Sequence, residues 1–386
     1  MIRTYTLLSL AALALFSSGC GSQSGQSALK QGMAAFREKN YVGAITHLTR
    51  ASKRITNSPE LYYNLGLAHL YRGDMEPAQS AFNEALALAP KHVEAIACLG
   101  QIAYFQHNYA QAQALFERAF AAAQGDELRA RILTALALTE SGRDRHDLAR
   151  LHLLRALKLC GHYAPAYYNL ASLYRDKFGL REEALDNFEL YVRLADKEDP
   201  HYGSAVNNIK RLRSNLERIR GEELDGVKRD PSAAAKLLQE GMHLQLAKQY
   251  AKATKAYRDA LAADPLTFSA AYGLALSHKA LGQRAEAVEA FRRAAEISPS
   301  HQESYYQAAE QALLLKHTAE AAKLLDRAIA RSPFNPANAE LMARIRYAEA
   351  RLPEARLYGE FYLSLLPPGD KNRGPYEKWV RSLPVK

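Results

Sequence analysis

Apolar and small residues fall at helical spacing along nearly the whole chain, and they come in pairs of stretches. Tyr62, Leu65 and Gly66 mark the first stretch of one pair, Ala78, Phe82 and Ala85 the second, and Pro90 closes it. Steps of three and four residues place these side chains on one face of each predicted helix. The pattern returns about every 34 residues as Leu99, Gly100, Ala112, Phe116 and Ala119, and more weakly as Leu136, Ala137, Ala149, Leu153 and Ala156. Tyr167, Leu170, Ala171 and Tyr174 begin another unit, whose second helix, with Ala184 and Phe188, is displaced by one residue through the turn around Gly179. Gly32, Ala44, Leu48 and Ala51 form a unit upstream.

A second array follows. Gly241, Ala253, Tyr257, Ala260 and Pro265 reopen the frame, then Leu274, Ala275, Ala287, Phe291, Ala294 and Pro299, then Tyr305, Ala309, Ala321, Leu325, Ala328 and Pro333. The last unit, with Ala343, Ala355 and Pro367, is degenerate, as terminal repeats are. Residues 198–233 break the period. Val206, Ile209, Leu212, Leu216 and Ile219 keep helical spacing there, Gly221 is a candidate helix end, and Asp230-Pro231-Ser232 reads as a fresh helix start. Two readings of this stretch stand: a helix that extends the first array and then links to the second, or a worn tenth repeat.

Numbered from Pro59, the marked residues of the clearest unit occupy positions 4, 7, 8, 20, 24, 27 and 32. This resembles the tetratricopeptide repeat (TPR), with Tyr62 where tryptophan is usual. The resemblance implies an all-α fold: an α-solenoid, wound as a right-handed superhelix, of about nine helix-turn-helix units in two arrays. Small residues at positions 8, 20 and 27 let the two helices of a unit approach closely. The large residue at 24 fills the space they leave, and proline near 32 stops the second helix. The expected layout is a signal peptide at 1–19, a lipidated cysteine and tether at 20–27, a first array of about five units at 28–197, a helical extension and linker at 198–233, a second array of about four units at 234–369, and a cap or tail at 370–386.

The N-terminus is read as an address. Arg3 precedes an uncharged apolar run from Leu7 to Phe16, long enough for a signal-peptide core and too short to span a bilayer. The run ends in Ser17-Ser18-Gly19-Cys20, which resembles the lipobox of bacterial lipoproteins, although Ser17 stands where leucine is usual. The resemblance implies lipidation of Cys20 and export. Gly21 after the cysteine implies sorting to the outer membrane in a bacterium that has one. The alternative is an ordinary cleaved signal with an incidental cysteine. Several acyl chains suffice for stable attachment, and the polar stretch Gly21–Ser27 would tether the folded part within roughly 15 Å.

Composition adds little to this picture. Hydrophobic residues at 48% and charged residues at 24% are those of an ordinary globular chain. The net charge of +10 favours acidic partners, but the basic residues are spread along the chain and form no block, so nucleic acid is not an expected partner. Cys98 and Cys160 fall two repeats apart, beyond disulfide reach, and are read as small buried apolar residues.

In TPR superhelices the first helix of each unit lines the concave face through positions 2, 5, 9, 12 and 13. In this frame the partner-binding candidates are Tyr63, Leu67, Tyr71, Gln101, Tyr104, Phe105, Tyr168 and Arg175 in the first array, with Tyr272, Lys279, Tyr306 and Glu310 in the second. Tyrosine suits such surfaces because it brings large area and a polar tip at little rotamer cost. Chaperone-binding TPRs hold a carboxylate with lysine at position 5 and asparagine at position 9. Here those positions carry Tyr63, Ala97, Tyr168 or Tyr272, and Leu67, Gln101, Ser172 or Leu276, so that clamp is absent.

No HExxH, GxSxG, phosphate loop or dinucleotide glycine run occurs, and the histidines are scattered. No enzyme activity, cofactor or metal is therefore expected. The expected function is a membrane-anchored scaffold or adaptor that mediates protein–protein interactions in assembling a bacterial envelope complex, such as pilus, secretion or cell-wall machinery. It would hold a peptide or helix in its groove, and self-association remains compatible with it. The alternative is a module that binds peptidoglycan or polysaccharide on the groove tyrosines.

Overall fold

The computed structural model describes residues 23–224 and 229–384, and of residues 220–224 the backbone only. The signal peptide and Cys20 expected from the sequence lie outside the described residues. Among those described there are twenty α-helices and no strand. The first five hairpins are α1 (Gln23–Arg37) with α2 (Tyr41–Ser52), α3 (Pro59–Arg72) with α4 (Met75–Leu88), α5 (Val93–Phe105) with α6 (Tyr109–Ala122), α7 (Asp126–Gly142) with α8 (His146–Leu159), and α9 (Ala164–Leu173) with α10 (Arg181–Leu194). A long helix, α11 (Tyr202–Leu224), follows. Four more hairpins are α12 (Pro231–Leu246) with α13 (Tyr250–Ala263), α14 (Phe268–Ala280) with α15 (Arg284–Ile297), α16 (Gln302–Leu314) with α17 (Thr318–Arg331), and α18 (Pro336–Ala348) with α19 (Leu352–Leu365). The short α20 (Arg373–Ser382) packs on α19.

The hairpins close where the sequence places its small residues. Gly66 lies so near Phe82 that a Cβ there would stand 2.6 Å from the ring, and Gly241 meets Tyr257 at the same 2.6 Å. Phe82, Phe116, Phe188, Phe291 and Tyr257 are all at most 1% exposed. Burying such a ring contributes about 2–3 kcal/mol each, and the room for it comes from a glycine or alanine at the facing position. Each second helix then stops two residues before its proline: α4 before Pro90, α13 before Pro265, α15 before Pro299, α17 before Pro333 and α19 before Pro367.

The turn within each hairpin is also built to a pattern. One residue just after the first helix adopts a left-handed backbone: Lys39, Gly73, His107, Asp144, Gly179, Lys248, Gly282, Lys316 and Ala350. Side chains then cap the next helix where they can. Asn40 accepts from the Gly43 N–H at 3.0 Å, and Asn108 from the Gln111 N–H at 3.3 Å. The one-residue displacement read around Gly179 is absorbed by a π turn over Tyr174–Phe178 that continues α9, with the Gly179 and Leu180 N–H groups both reaching the Tyr174 carbonyl.

The chain divides into two compact units. One runs up to Leu170 and takes in Arg193–Ala195; the other comprises Ala171–Val192 and everything from Asp196 on. The division falls inside α9 and not in the irregular stretch after residue 197. The second unit shows why. Arg213 of α11 bonds Glu189 of α10 at 2.7 Å, and Arg331 of α17 reaches Glu182, Glu183 and Asp186 of α10, with Glu183 at 3.0 Å. The second array is therefore tied by ion pairs to α10, which is itself paired with α11.

Two local expectations are corrected and a third holds. The tether is shorter than read, since α1 starts at Gln23 and buries Gly25 and Ala28; Ile55 lies against Gly25 and gives that turn an apolar surface to pack on. Gly221 does not end α11, which runs on to Leu224; a lone glycine costs a helix only about 1 kcal/mol, and no proline follows it at once. The restart at Asp230 is as read: its carboxylate accepts from the Ala233 N–H at 2.9 Å with Pro231 at the first helical position. Its entry is tied down further by Arg229, which grips Asp264 at 2.8 and 2.9 Å.

Two outcomes follow for stability. Ala350 holds φ 58° without the freedom of glycine, so Ala350→Gly should raise stability by about 1 kcal/mol, measured as a higher denaturation midpoint at unchanged slope. His152 is buried in the first unit with no hydrogen-bond partner for Nδ1. Burial above all, then the Arg155 and Arg145 charges, holds its pKa down at about 3 against an ordinary 6.5. The unfolded chain thus takes up a proton that the folded chain refuses. Stability is complete above pH 6.5 and falls as pH drops through the window toward 3. The loss should reach about 2 kcal/mol by pH 5. Denaturation of wild type and His152→Leu at pH 7 and pH 5 checks this: the variant should lack that part of the pH dependence.

Candidate binding surface

The sequence register assigns the exposed face of each unit to positions on its first helix, and burial tests each residue in turn. In the first unit three candidates are removed from any surface. Tyr63 is 1% exposed, with its ring 5.9 Å from Phe82 and 4.9 Å from His92, and burial pushes its hydroxyl pKa well up. Leu67 and Gln101 are each 3% exposed. These residues pack between neighbouring hairpins, where inner repeats have a neighbour on both sides. They are core residues and cannot line a groove.

The remaining first-unit candidates are half-buried and largely occupied by each other. Tyr71 stacks on Tyr41 at 5.5 Å with Phe36 edge-on at 5.5 Å. Tyr104 lies against Phe105 at 5.9 Å and Tyr109 at 5.7 Å. Tyr168 is half-buried. Arg175, which belongs to the second unit, bonds Asp176 at 2.6 and 2.8 Å and sits 5.5 Å over the Phe188 ring.

The second unit presents a different face. Its candidates in the second array lie on two successive first helices, α14 and α16, and interact. Lys279 of α14 donates to Gln307 at 2.5 Å and Glu310 at 3.0 Å, both on α16. Tyr306, also on α16, has its hydroxyl pushed up to about 12, by burial first and then by the nearby Glu310 and Glu340 carboxylates. Tyr272 stacks on Phe268 at 5.7 Å and meets His301 at 5.0 Å.

Sequence reading missed further residues on this face. Met242 and Leu246 of α12, Leu314 of α16 and Tyr347 of α18 are 51%, 80%, 47% and 51% exposed. In the repeat frame they fall at positions 9, 13, 13 and 12. Glu303, Glu340 and Arg344 fall at positions 2, 5 and 9, with Arg344 3.8 Å from Glu340. The signal lies in the same register, carried by aliphatic and acidic residues and not by the aromatic ones. At the end of the unit α20 adds Tyr376, 4.4 Å from Tyr362, and Trp379, 5.8 Å from Tyr347.

Among the described residues no three His, Cys, Asp or Glu side chains converge as metal ligands. Cys98 and Cys160 are buried and not bonded to one another. Among the described residues, small clefts of about 160 Å³ and about 220 Å³ lie beside Asn83 and Gln106 and beside Arg331. No described helix is long and apolar enough to cross a membrane.

Two family models match the chain. The tetratricopeptide-repeat model covers residues 238–302 and 275–336, and the model of the middle TPR-like domain of cilia and flagella-associated protein 70 covers residues 40–158. The chain is a tetratricopeptide-repeat protein. Repeat folds of this kind are typically non-catalytic scaffolds for protein–protein interaction. Among curated proteins this TPR chain is similar to mouse Superkiller complex protein 3, 27% identical over 215 residues, which is 55% of this chain and 14% of that protein's length. Among solved structures it is similar to MamA of Desulfovibrio magneticus RS-1 (21% identity, 46% of this chain and 98% of that one, TM-score 0.40). It is also similar to pilF of Pseudomonas aeruginosa (16% identity, 51% and 92%, TM-score 0.42).

The contrast between core and surface tyrosines or leucines is measurable. Tyr63→Ala should cost about 3–5 kcal/mol, whereas Leu246→Ala, at a position 80% exposed, should change stability by no more than about 0.5 kcal/mol. Chemical denaturation of the two variants checks it.

Proposed function

We propose that this TPR chain is a membrane-anchored adaptor that gathers proteins of a bacterial envelope assembly on the first-helix face of its second unit. The observation that supports this most is the row of exposed apolar side chains on that face, Met242, Leu246, Leu314 and Tyr347. Large apolar groups left in water along one register of a repeat array mark a contact surface. The membrane part rests on the sequence alone: the apolar run ending in Ser17-Ser18-Gly19-Cys20, whose lipidated cysteine would hold the array at the envelope.

The test is a crosslinked pull-down of the full-length protein from detergent-solubilised membranes, beside Leu246→Asp/Leu314→Asp and Cys20→Ser. A discrete set of envelope proteins is expected with wild type and lost with the double variant, which alters only exposed side chains. Cys20→Ser should move the protein out of the membrane fraction. If wild type and double variant retain the same proteins, or neither retains any, the adaptor reading fails. If Cys20→Ser stays with the membrane, lipid anchoring fails.

A further inference from the structure

Resting on the membrane-anchored reading, the charge of the first unit points to what lies against its first hairpin. Over the whole chain the basic residues are spread, but hairpin by hairpin they are uneven. Residues 23–58 hold six Lys or Arg against one Glu, a net +5. Residues 59–170 of the same unit hold ten Lys or Arg against eleven Asp or Glu, a net −1. The six are Lys30, Arg37, Lys39, Arg50, Lys53 and Arg54, and every one is exposed.

These cations have no acid to meet. Glu38 is the one carboxylate of the hairpin, and it stands in the turn between α1 and α2. Among the described residues none of the six forms an ion pair; Arg50 donates to Gln31 at 2.5 Å and meets His47 at 3.1 Å instead. Elsewhere in the unit cations are neutralised: Arg131 pairs with Glu127 at 2.9 Å and Arg145 with Glu140 at 2.6 Å.

Their placement follows from the hairpin. The end of α2 lies beside the start of α1, where a Cβ on Gly25 would stand 3.1 Å from Ile55 and 3.2 Å from Arg54. Arg50 is held beside Lys30 through its bond to Gln31. Lys30, Arg50, Lys53 and Arg54 therefore gather at the end where the chain comes in from Cys20. Three residue steps separate Cys20 from Gln23, at most roughly 11 Å of chain. That is about the distance over which charge acts at ordinary ionic strength, roughly 8–10 Å. Acyl chains on Cys20 would bring this end to the headgroups, and not the opposite end with Arg37 and Lys39.

The fold does not ask for these cations. A helix C-terminus favours positive charge, yet α4, α6, α13 and α15 end with none in the last turn. Closure of the first hairpin rests on Gly32 against Leu48.

We propose that the Cys20 end of the first hairpin, carrying Lys30, Arg50, Lys53 and Arg54, docks on the anionic headgroups of a lipid surface. Each Lys or Arg at such a surface strengthens attachment about fivefold. The patch adds a second hold to the acyl chains and turns this end of the hairpin toward the membrane.

The test reconstitutes the full-length protein with vesicles of phosphatidylcholine alone or with about 30% phosphatidylglycerol. A lysine reagent then labels its amines, read site by site by mass spectrometry. Lys30 and Lys53 should label at least about threefold more slowly on the anionic vesicles, while the exposed Lys252 of α13 is unchanged. About 1 M salt, which screens charge beyond roughly 3 Å, should abolish the difference, and Arg50→Gln/Arg54→Gln should shrink it. Equal labelling of Lys30 and Lys53 on the two vesicles, protection that salt does not remove, or wild-type protection in the double variant overturns the proposal. If Cys20→Ser leaves the membrane fraction while labelling is the same on both vesicles, this proposal alone falls and the anchored reading stands. If Cys20→Ser stays with the membrane while Lys30 and Lys53 are protected, the anchor falls and the docking surface stands.

Discussion

The structure depends on one steric condition: in nearly every hairpin a large side chain on the second helix lies against a glycine or alanine of the first. Phe82 over Gly66 and Tyr257 over Gly241 are the clearest cases, and at 2.6 Å there is no room for even a methyl group. Once the helices are that close, the rest of the hairpin is set. The turn must reverse within two or three residues, which forces one residue into the left-handed region at the same place in every hairpin. The proline after the second helix then releases the chain for the next unit. None of these hairpins has a core of its own, because the rings fill the gap within a hairpin while the outer faces of both helices still need a neighbour. Stability is therefore shared, and the ends of an array are where surface is left over.

That condition also explains how much could be read from the sequence. The small and large residues it requires are visible as letters, so the repeat frame, the hairpins and the helix stops were legible. Even the displaced second helix near Gly179 was visible as one extra residue, although the sequence did not say that a π turn would take it up. Helix ends governed by packing were not legible. Gly221 has the composition of a stop and is not one, and Gln23 to Ser27 have the composition of a tether but are helical, because Gly25 finds Ile55 to pack against.

Exposure on the first helices was misjudged residue by residue. Positions 5 and 9 look outward in a lone hairpin, but in the middle of a stack they are squeezed between neighbours. Tyr63, Leu67 and Gln101 are buried for this reason. A tyrosine in such a place adds packing area and a hydroxyl whose ionisation burial opposes, and it offers a ligand nothing. Exposure depends on what stands on either side, which no single repeat records. Tyr306 and Lys279 keep a surface role because their neighbours on the face are carboxylates and amides that hold them half out, with Lys279 bonded across from one hairpin to the next.

The same logic accounts for the placement of the apolar row. At Met242 and Leu246 a stacked helix would be expected to cover such side chains, yet they are 51% and 80% exposed, while Ala253, Ala256 and Ala260 of the next helix are buried. Leucine at 80% exposure gains nothing for the fold, and the helix would form as well with glutamate or lysine there, which have comparable helix propensity. Nor does the row relieve a packing demand, since the close approach of α12 and α13 is already met at Gly241 and Tyr257. The fold does not require these apolar side chains, and their alignment with Leu314 and Tyr347 in one register is what a shared contact would require. Interaction energy on such a face is concentrated in a few large side chains, with the polar groups around them setting which partner fits.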